Sequence, residues 1–186
     1  MNLRHVANGA LLAVILAVAA VVQHTSPGDG GWQQPIEVTG TVGDRVEGRN
    51  IAATVWSAQV AREVQTSDWT GQTTGIWVVV DVSAEAVVDE FAARLGTAQL
   101  VIGDETFSAS ERPDLDTVYR NSLSVGIPTR GPLFFEIPTD ALGKARLQLG
   151  IDSDPRLDSL LVIPLDLSQL EVRDSATAND VQWGAE

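Results

Sequence analysis

Among side chains that commonly serve as base, nucleophile or soft-metal ligand, this 186-residue chain has no cysteine, two histidines and one lysine. Cysteine is absent, which removes thiolate catalysis, disulfides and sulfur-ligated metals together. The two histidines, His5 and His24, flank an apolar leader outside the stretch expected to fold, so a Ser-His-Asp triad inside the fold is ruled out. Lys144 is the only lysine, and Gly143-Lys144-Ala145 reads as a turn entering a strand rather than as a buried partner for serine. Asp114 and Asp116 share one loop and Asp152 and Asp154 another, where a hard cation could be held. The run Asp152-Ser-Asp154-Pro155 lacks the glycine and distal glutamate of an EF-hand loop, so a solvated acidic turn is the stronger reading. Gly28-Asp-Gly-Gly31 is no phosphate loop, because no strand precedes it and no lysine follows. The expectation is a non-enzymatic protein with no catalytic residue, cofactor or metal. An acid-residue hydrolase would need a carboxylate pair that the sequence does not bring together.

The aromatic residues suggest holding rather than transforming. Trp56, Trp69, Trp77, Phe107, Phe134 and Phe135 could line a groove, but tryptophans on strands mostly fill sandwich cores, and that is the reading for Trp56 and Trp77. Phe134 differs, since Leu133 and Phe135 take the opposite face and Phe134 must point outward or against another layer. It is a candidate partner-surface residue, together with Trp183 in the tail. Trp77 and Val79 raise the same question about the second face of their strand.

The elements that would position these residues are mostly strands. Gly75 to Ala84 carries the strongest signal: Ile76 to Val80 are all β-branched or aromatic, and Val80, Asp81, Val82 and Ser83 then alternate. It should be a central strand. Ile51 to Val64 fits a strand at first and a four-residue repeat later. A long strand with a bulge near Trp56 is favoured, with the buried face passing from Val55 to Trp56, Ala58 and Val60. Ser83 to Leu95 breaks the pattern, because Val87, Val88, Phe91 and Leu95 fall at helical spacing behind an N-cap at Ser83, and a short helix is expected. Thr97 to Ile102 and Glu105 to Ala109 form a hairpin about Gly103-Asp104. Strands follow at Val118 to Val125, Leu133 to Ile137 (after a turn at Pro128 to Pro132), Ala145 to Ile151 and Leu160 to Leu167, with Pro164 confining the last to an edge or bulge. Short strands at regular spacing with one brief helix indicate an all-β fold, a β-sandwich rather than a barrel.

Residues 1–22 read as an N-terminal transmembrane helix, 23–34 as a flexible linker, 35–170 as the sandwich domain and 171–186 as an acidic disordered tail. The 17 residues from Val6 to Val22 carry no charge, the lower limit for crossing about 30 Å of hydrocarbon. A signal peptide cleaved after Ala17-Val18-Ala19 and a buried core helix compete with an uncleaved signal anchor. The continuation through Val21 and Val22, with no polar stretch before the cut, favours the anchor. Arg4 on the short side places the N-terminus in the cytoplasm and the remainder outside. Gly9, Ala13 and Ala17 lie four apart, a small-residue face suited to packing against a partner helix. Of the 12 basic residues only Arg4 precedes Asp29, so 11 stand against 25 acids beyond the leader. Such a surface repels phosphate backbones and anionic headgroups, which argues against nucleic-acid binding.

The order of motifs resembles DUF4352-type, immunoglobulin-like domains of bacterial envelope proteins. The resemblance is carried by Val42-Gly-Asp-Arg-Val46, Trp77-Val-Val-Val-Asp-Val82, Leu100-Val-Ile-Gly-Asp104 with Phe107, and Gly131-Pro-Leu-Phe-Phe-Glu-Ile-Pro138, spanning Thr41 to Leu167. It implies an extracytoplasmic, membrane-tethered, immunoglobulin-like sandwich with no established chemistry. The chain departs from the family pattern at Ala84 to Leu95. It also has no lipobox cysteine, so tethering would fall to the apolar leader. The functional expectation is a membrane-anchored protein-binding module, an accessory subunit of a membrane or cell-envelope assembly such as a transporter or secretion complex. The alternative is an extracytoplasmic receptor for a small ligand.

Overall fold

A computed structural model describes residues 3–25, 34–88 and 93–184. The chain divides into two units, 1–34 and 35–186. The first holds one helix, α1 (Leu3–Thr25), whose span Arg4–Thr25 has a mean hydropathy of 2.3, long and apolar enough to cross a membrane. The helix therefore takes in Gln23 to Thr25 of the expected linker. The rest of that linker through Gln33, with Trp32 and Gly28 to Gly31, lies outside the described residues.

The second unit is a β-sandwich. Its strands are β1 (Ile36–Thr39), β2 (Arg45–Glu47), β3 (Ile51–Gln65), β4 (Thr70–Ala86), β5 (Thr97–Ile102), β6 (Glu105–Ser108), β7 (Thr129–Ile137), β8 (Lys144–Gly150), β9 (Ser159–Asp166), β10 (Val172–Thr177) and β11 (Gln182–Trp183). One sheet runs β1-β9-β8-β5-β6 and the other β10-β3-β4-β7-β11, with β2 paired to β3. Most pairs are antiparallel, but β1 on β9 and β10 on β3 are parallel. The core lies between the sheets, where Ile76, Val78, Val80, Val82 and Ala84 of β4 and Leu133, Phe135 and Ile137 of β7 meet Leu147 and Leu149 of β8. Period-two alternation puts these residues on one face, and burial of their branched side chains is the main stabilising term.

The central strand is where the sequence placed it, flanked by β3 and β7. So are the bulge in β3, between Val55 and Ser57, and the β5-β6 hairpin, whose Gly103 takes a positive φ of 59°. Pro164 sits on β9 beyond Val162, the last β9 residue paired to β1, so its missing N–H leaves no ladder bond unmade.

Four expectations are corrected. Ser83 to Ala86 are strand, not the start of a helix, because they pair with Thr54 to Ile51, and the Ser83 hydroxyl accepts from Trp56 Nε1 instead of capping. Val87 and Val88 bend, 93–95 are irregular, and Phe91 lies outside the described residues. Val118 to Val125 form no strand: Val118–Arg120 is a 3-10 turn, held by Asn121 Nδ2 donating to the Leu115 and Thr117 carbonyls. The turn expected at Pro128 to Pro132 is already strand from Thr129 onward. The tail is ordered from Val172 to Thr177, where β10 adds to the edge of β3.

A buried polar link ties the sheets together. Asn50, in the β2-β3 turn, donates from Nδ2 to Asp158 Oδ2 at 2.6 Å, and Asp158 Oδ1 accepts the Ser159 amide at 2.7 Å and faces Arg49 Nε at 3.3 Å. The Ser159 hydroxyl accepts the Arg49 amide at 2.7 Å. Asp158 is 7% exposed and Asn50 4%. Replacing Asp158 with alanine strands buried donors on both sheets, and denaturant unfolding is expected to show a loss of about 2–4 kcal/mol.

Candidate functional site

The outer face of the β10-β3-β4-β7-β11 sheet carries the features most suited to recognition. The bulge after Val55 inserts Trp56 as the extra residue, so Val55 and Ala58 both face the core while Trp56 turns outward. The core position expected for Trp56 is thus corrected. Its ring lies half-buried, its Nε1 donating to Ser83 Oγ at 3.2 Å, and the Arg130 guanidinium stacks 4.6 Å from the ring centroid. Cross-strand pairing brings Arg130 opposite Ser83, and its Nη2 reaches Asp81 Oδ2 at 2.9 Å.

Next to Trp56 the same face drops into a trough of about 270 Å³, because its floor is built from small residues, Ala52 and Thr54 of β3 and Ser83 of β4. Trp56 walls one side. Arg45 of β2 forms another wall and donates through Nε (3.1 Å) and Nη2 (2.6 Å) to Glu85 Oε1 and through Nη1 to Glu47. The hydrogen bonds that Arg45 donates, to Glu47 first and to Glu85 second, raise its pKa above the ordinary value. Gly126 and Pro128 also line it. Gly126 turns the chain with a φ of 70° and leaves its neighbours Val125 and Ile127 about half exposed, at 48% and 50%.

The far end of this face is a second, smaller core. Trp77, Phe134 and Trp69 meet edge to face, with centroids 5.6 to 6.3 Å apart, and Ala176 and Ala178 of the C-terminal segment pack against them. Arg112 caps the cluster, its guanidinium 5.3 Å from the Trp77 ring and its Nη1 on Glu136 at 3.1 Å. Phe134 is 0% exposed, so its candidacy as a partner-surface residue is overturned: the layer it points against is the chain's own C-terminal segment. Trp183 on β11 is 65% exposed.

The remaining candidates do not converge. His5 and His24, with Gly9, Ala13 and Ala17, lie on the exposed surface of α1. Lys144 opens β8 and is exposed. Asp116 accepts from Thr66 Oγ1 at 2.5 Å, Asp114 sits on a 3-10 turn, and Asp154 is held by Arg156 at 2.5 Å, whose hydrogen bond lowers the carboxyl pKa. Among the described residues no group of three or more His, Cys, Asp or Glu could hold a metal ion. Trp56, Arg130 and the Glu47-Arg45-Glu85 set were missed as a site because they come together only through strand register. The one local signal was the break in alternation at Trp56.

No family model matches the chain, and no curated protein matches it. Among solved structures, one assigned as a lipoprotein from Staphylococcus aureus subsp. aureus NCTC 8325 has a similar fold, with a TM-score of 0.50 at 10% sequence identity over 74% of this chain and 97% of that chain.

Proposed function

We propose that this chain is a non-enzymatic, single-pass membrane protein that carries its immunoglobulin-like sandwich on the extracytoplasmic side and there binds another membrane or envelope protein, as an accessory subunit of an assembly such as a transporter or secretion complex. The observation that carries the reading is α1, a helix of mean hydropathy 2.3 that is long and apolar enough to cross a membrane. Arg4 on the short flank favours an N-terminus in the cytoplasm. The similar fold belongs to a protein assigned as a lipoprotein in Staphylococcus aureus, which supports a tethered bacterial setting. A net charge of −13 favours a protein partner over nucleic acid or an anionic bilayer surface.

Membrane fractionation with N-terminal sequencing is expected to recover the uncut chain in the membrane pellet. A processed, released form would favour the small-ligand receptor instead. Purification in mild detergent after crosslinking is expected to bring down a second membrane or envelope protein. Recovery of the chain alone and monodisperse in every gentle detergent, with no crosslinked product, would defeat the assembly reading.

A further inference from the structure

We infer, on the protein-binding reading above, that the trough over β2, β3 and β4 receives a lysine or arginine side chain from an extended segment of the partner protein. Size limits the guest. About 270 Å³ falls just below the roughly 300–1,000 Å³ of sites that enclose drug-sized ligands, and it suits one long side chain with the backbone beside it.

Charge selects among side chains. Glu47 and Glu85 both bond to the single guanidinium of Arg45, so this wall keeps one negative charge in excess. On the other side Arg130 is matched by Asp81, which leaves no positive surplus to attract a carboxylate or phosphate. The Glu85 side chain is only 14% exposed, so a cation beside it is screened less than in an open surface pair. The floor of Ala52 and Thr54, the ring of Trp56 and Pro128 offer apolar surface to an aliphatic stem, as long cationic side chains require. Val125 and Ile127, half exposed on either side of the lining residue Gly126, can exclude water around the anchor.

The test uses the full-length protein in mild detergent against a displayed library of random peptides. Enriched peptides are expected to share a lysine or arginine, and their affinity is expected to fall about tenfold in the Glu47→Gln/Glu85→Gln double variant. The same charge change made on the β5-β6 hairpin, Asp104→Asn with Glu105→Gln, should leave affinity unchanged. Arg45→Gln frees both carboxylates and should tighten basic peptides several-fold, a gain that a folding defect cannot imitate. Absence of enrichment, enrichment without a basic residue, or binding indifferent to both sets of variants would overturn the assignment. A partner crosslinked through another face of the sandwich would overturn the trough while leaving the protein-binding reading intact.

Discussion

Phe134→Ser is expected to cost about 4 kcal/mol of unfolding free energy, read as a lower denaturant midpoint with an unchanged slope, and to lower Tm by roughly 10 °C. The side chain is fully buried, yet it belongs to the outer face of its sheet, with its ring 5.8 Å from Trp69 and 6.3 Å from Trp77. Serine would remove the aromatic contact, leave a cavity under the C-terminal segment and bury a hydroxyl with no aromatic neighbour able to satisfy it. The cluster has little slack to absorb the change. Trp77 Nε1 already has no hydrogen-bond partner, and the guanidinium of Arg112 sits on the rings that would have to move. A variant that melts with the parent would restore Phe134 to the surface and contradict the packing described above.

Ending the chain after Leu170 is the second large change. It removes β10, whose parallel pairing with Val60 to Gln65 completes the sheet edge, and with it Ala176 and Ala178, the small side chains that seal Trp77, Val79 and Phe134 from water. Aromatic side chains bury some 150–250 Å² each, so exposing even part of this cluster should cost about 3–5 kcal/mol at about 25 cal/mol per Å². Thermal melting and tryptophan emission are the readouts, with emission shifting to the red as Trp77 meets solvent. Removing only 179–186, which holds the two-residue, exposed β11, should leave stability close to that of the full chain. Equal melting of the 1–170 chain and the parent would mean that the tail contributes nothing, as its composition alone suggests.

The contrast between these two deletions shows why the tail was misread. Glu171 to Glu186 has no run of apolar residues and no alternation. Its order comes from backbone hydrogen bonds to an open strand edge and from two alanines that join a buried cluster with tryptophan and phenylalanine side chains of distant strands. A parallel edge strand needs no hydrophobic pattern of its own when the partner sheet supplies the apolar surface. The same cause explains Phe134. Local alternation correctly set it opposite Leu133 and Phe135, but only the tertiary fold determines whether the second face of a sheet meets water or another layer.

Trp56 illustrates the reverse error. The break in alternation correctly placed a bulge near it, because a change of face within one strand needs an extra residue. Which way the extra side chain turns depends on the hydrogen-bond register with β4, and that register put Trp56 beside Ser83 and Arg130 rather than in the core. The trough follows from the same register, since the pairings of Arg45 with Thr54 and of Ala52 with Glu85 bring together residues about 40 positions apart. The helix expected from Ser83 failed for a related reason. Four-residue spacing in Val87, Val88, Phe91 and Leu95 is local, whereas Ser83 to Ala86 are held as strand by β3 on one side and, on the other, by β7 at Ser83 and Ala84 and by a bridge to Val125 at Ala86.

By itself the sequence determined the apolar helix at one end, the all-β character of the rest, the central position of Ile76 to Val80 and the absence of cysteine, because hydrophobic run length, period-two alternation and residue type are properties of neighbouring positions. Only the tertiary structure decided which faces are covered, which carboxylates share an arginine and where the outer face drops into a trough. Those outcomes depend on strand register and on a C-terminal strand returning to an edge laid down more than a hundred residues earlier, and no local pattern encodes a pairing of that range.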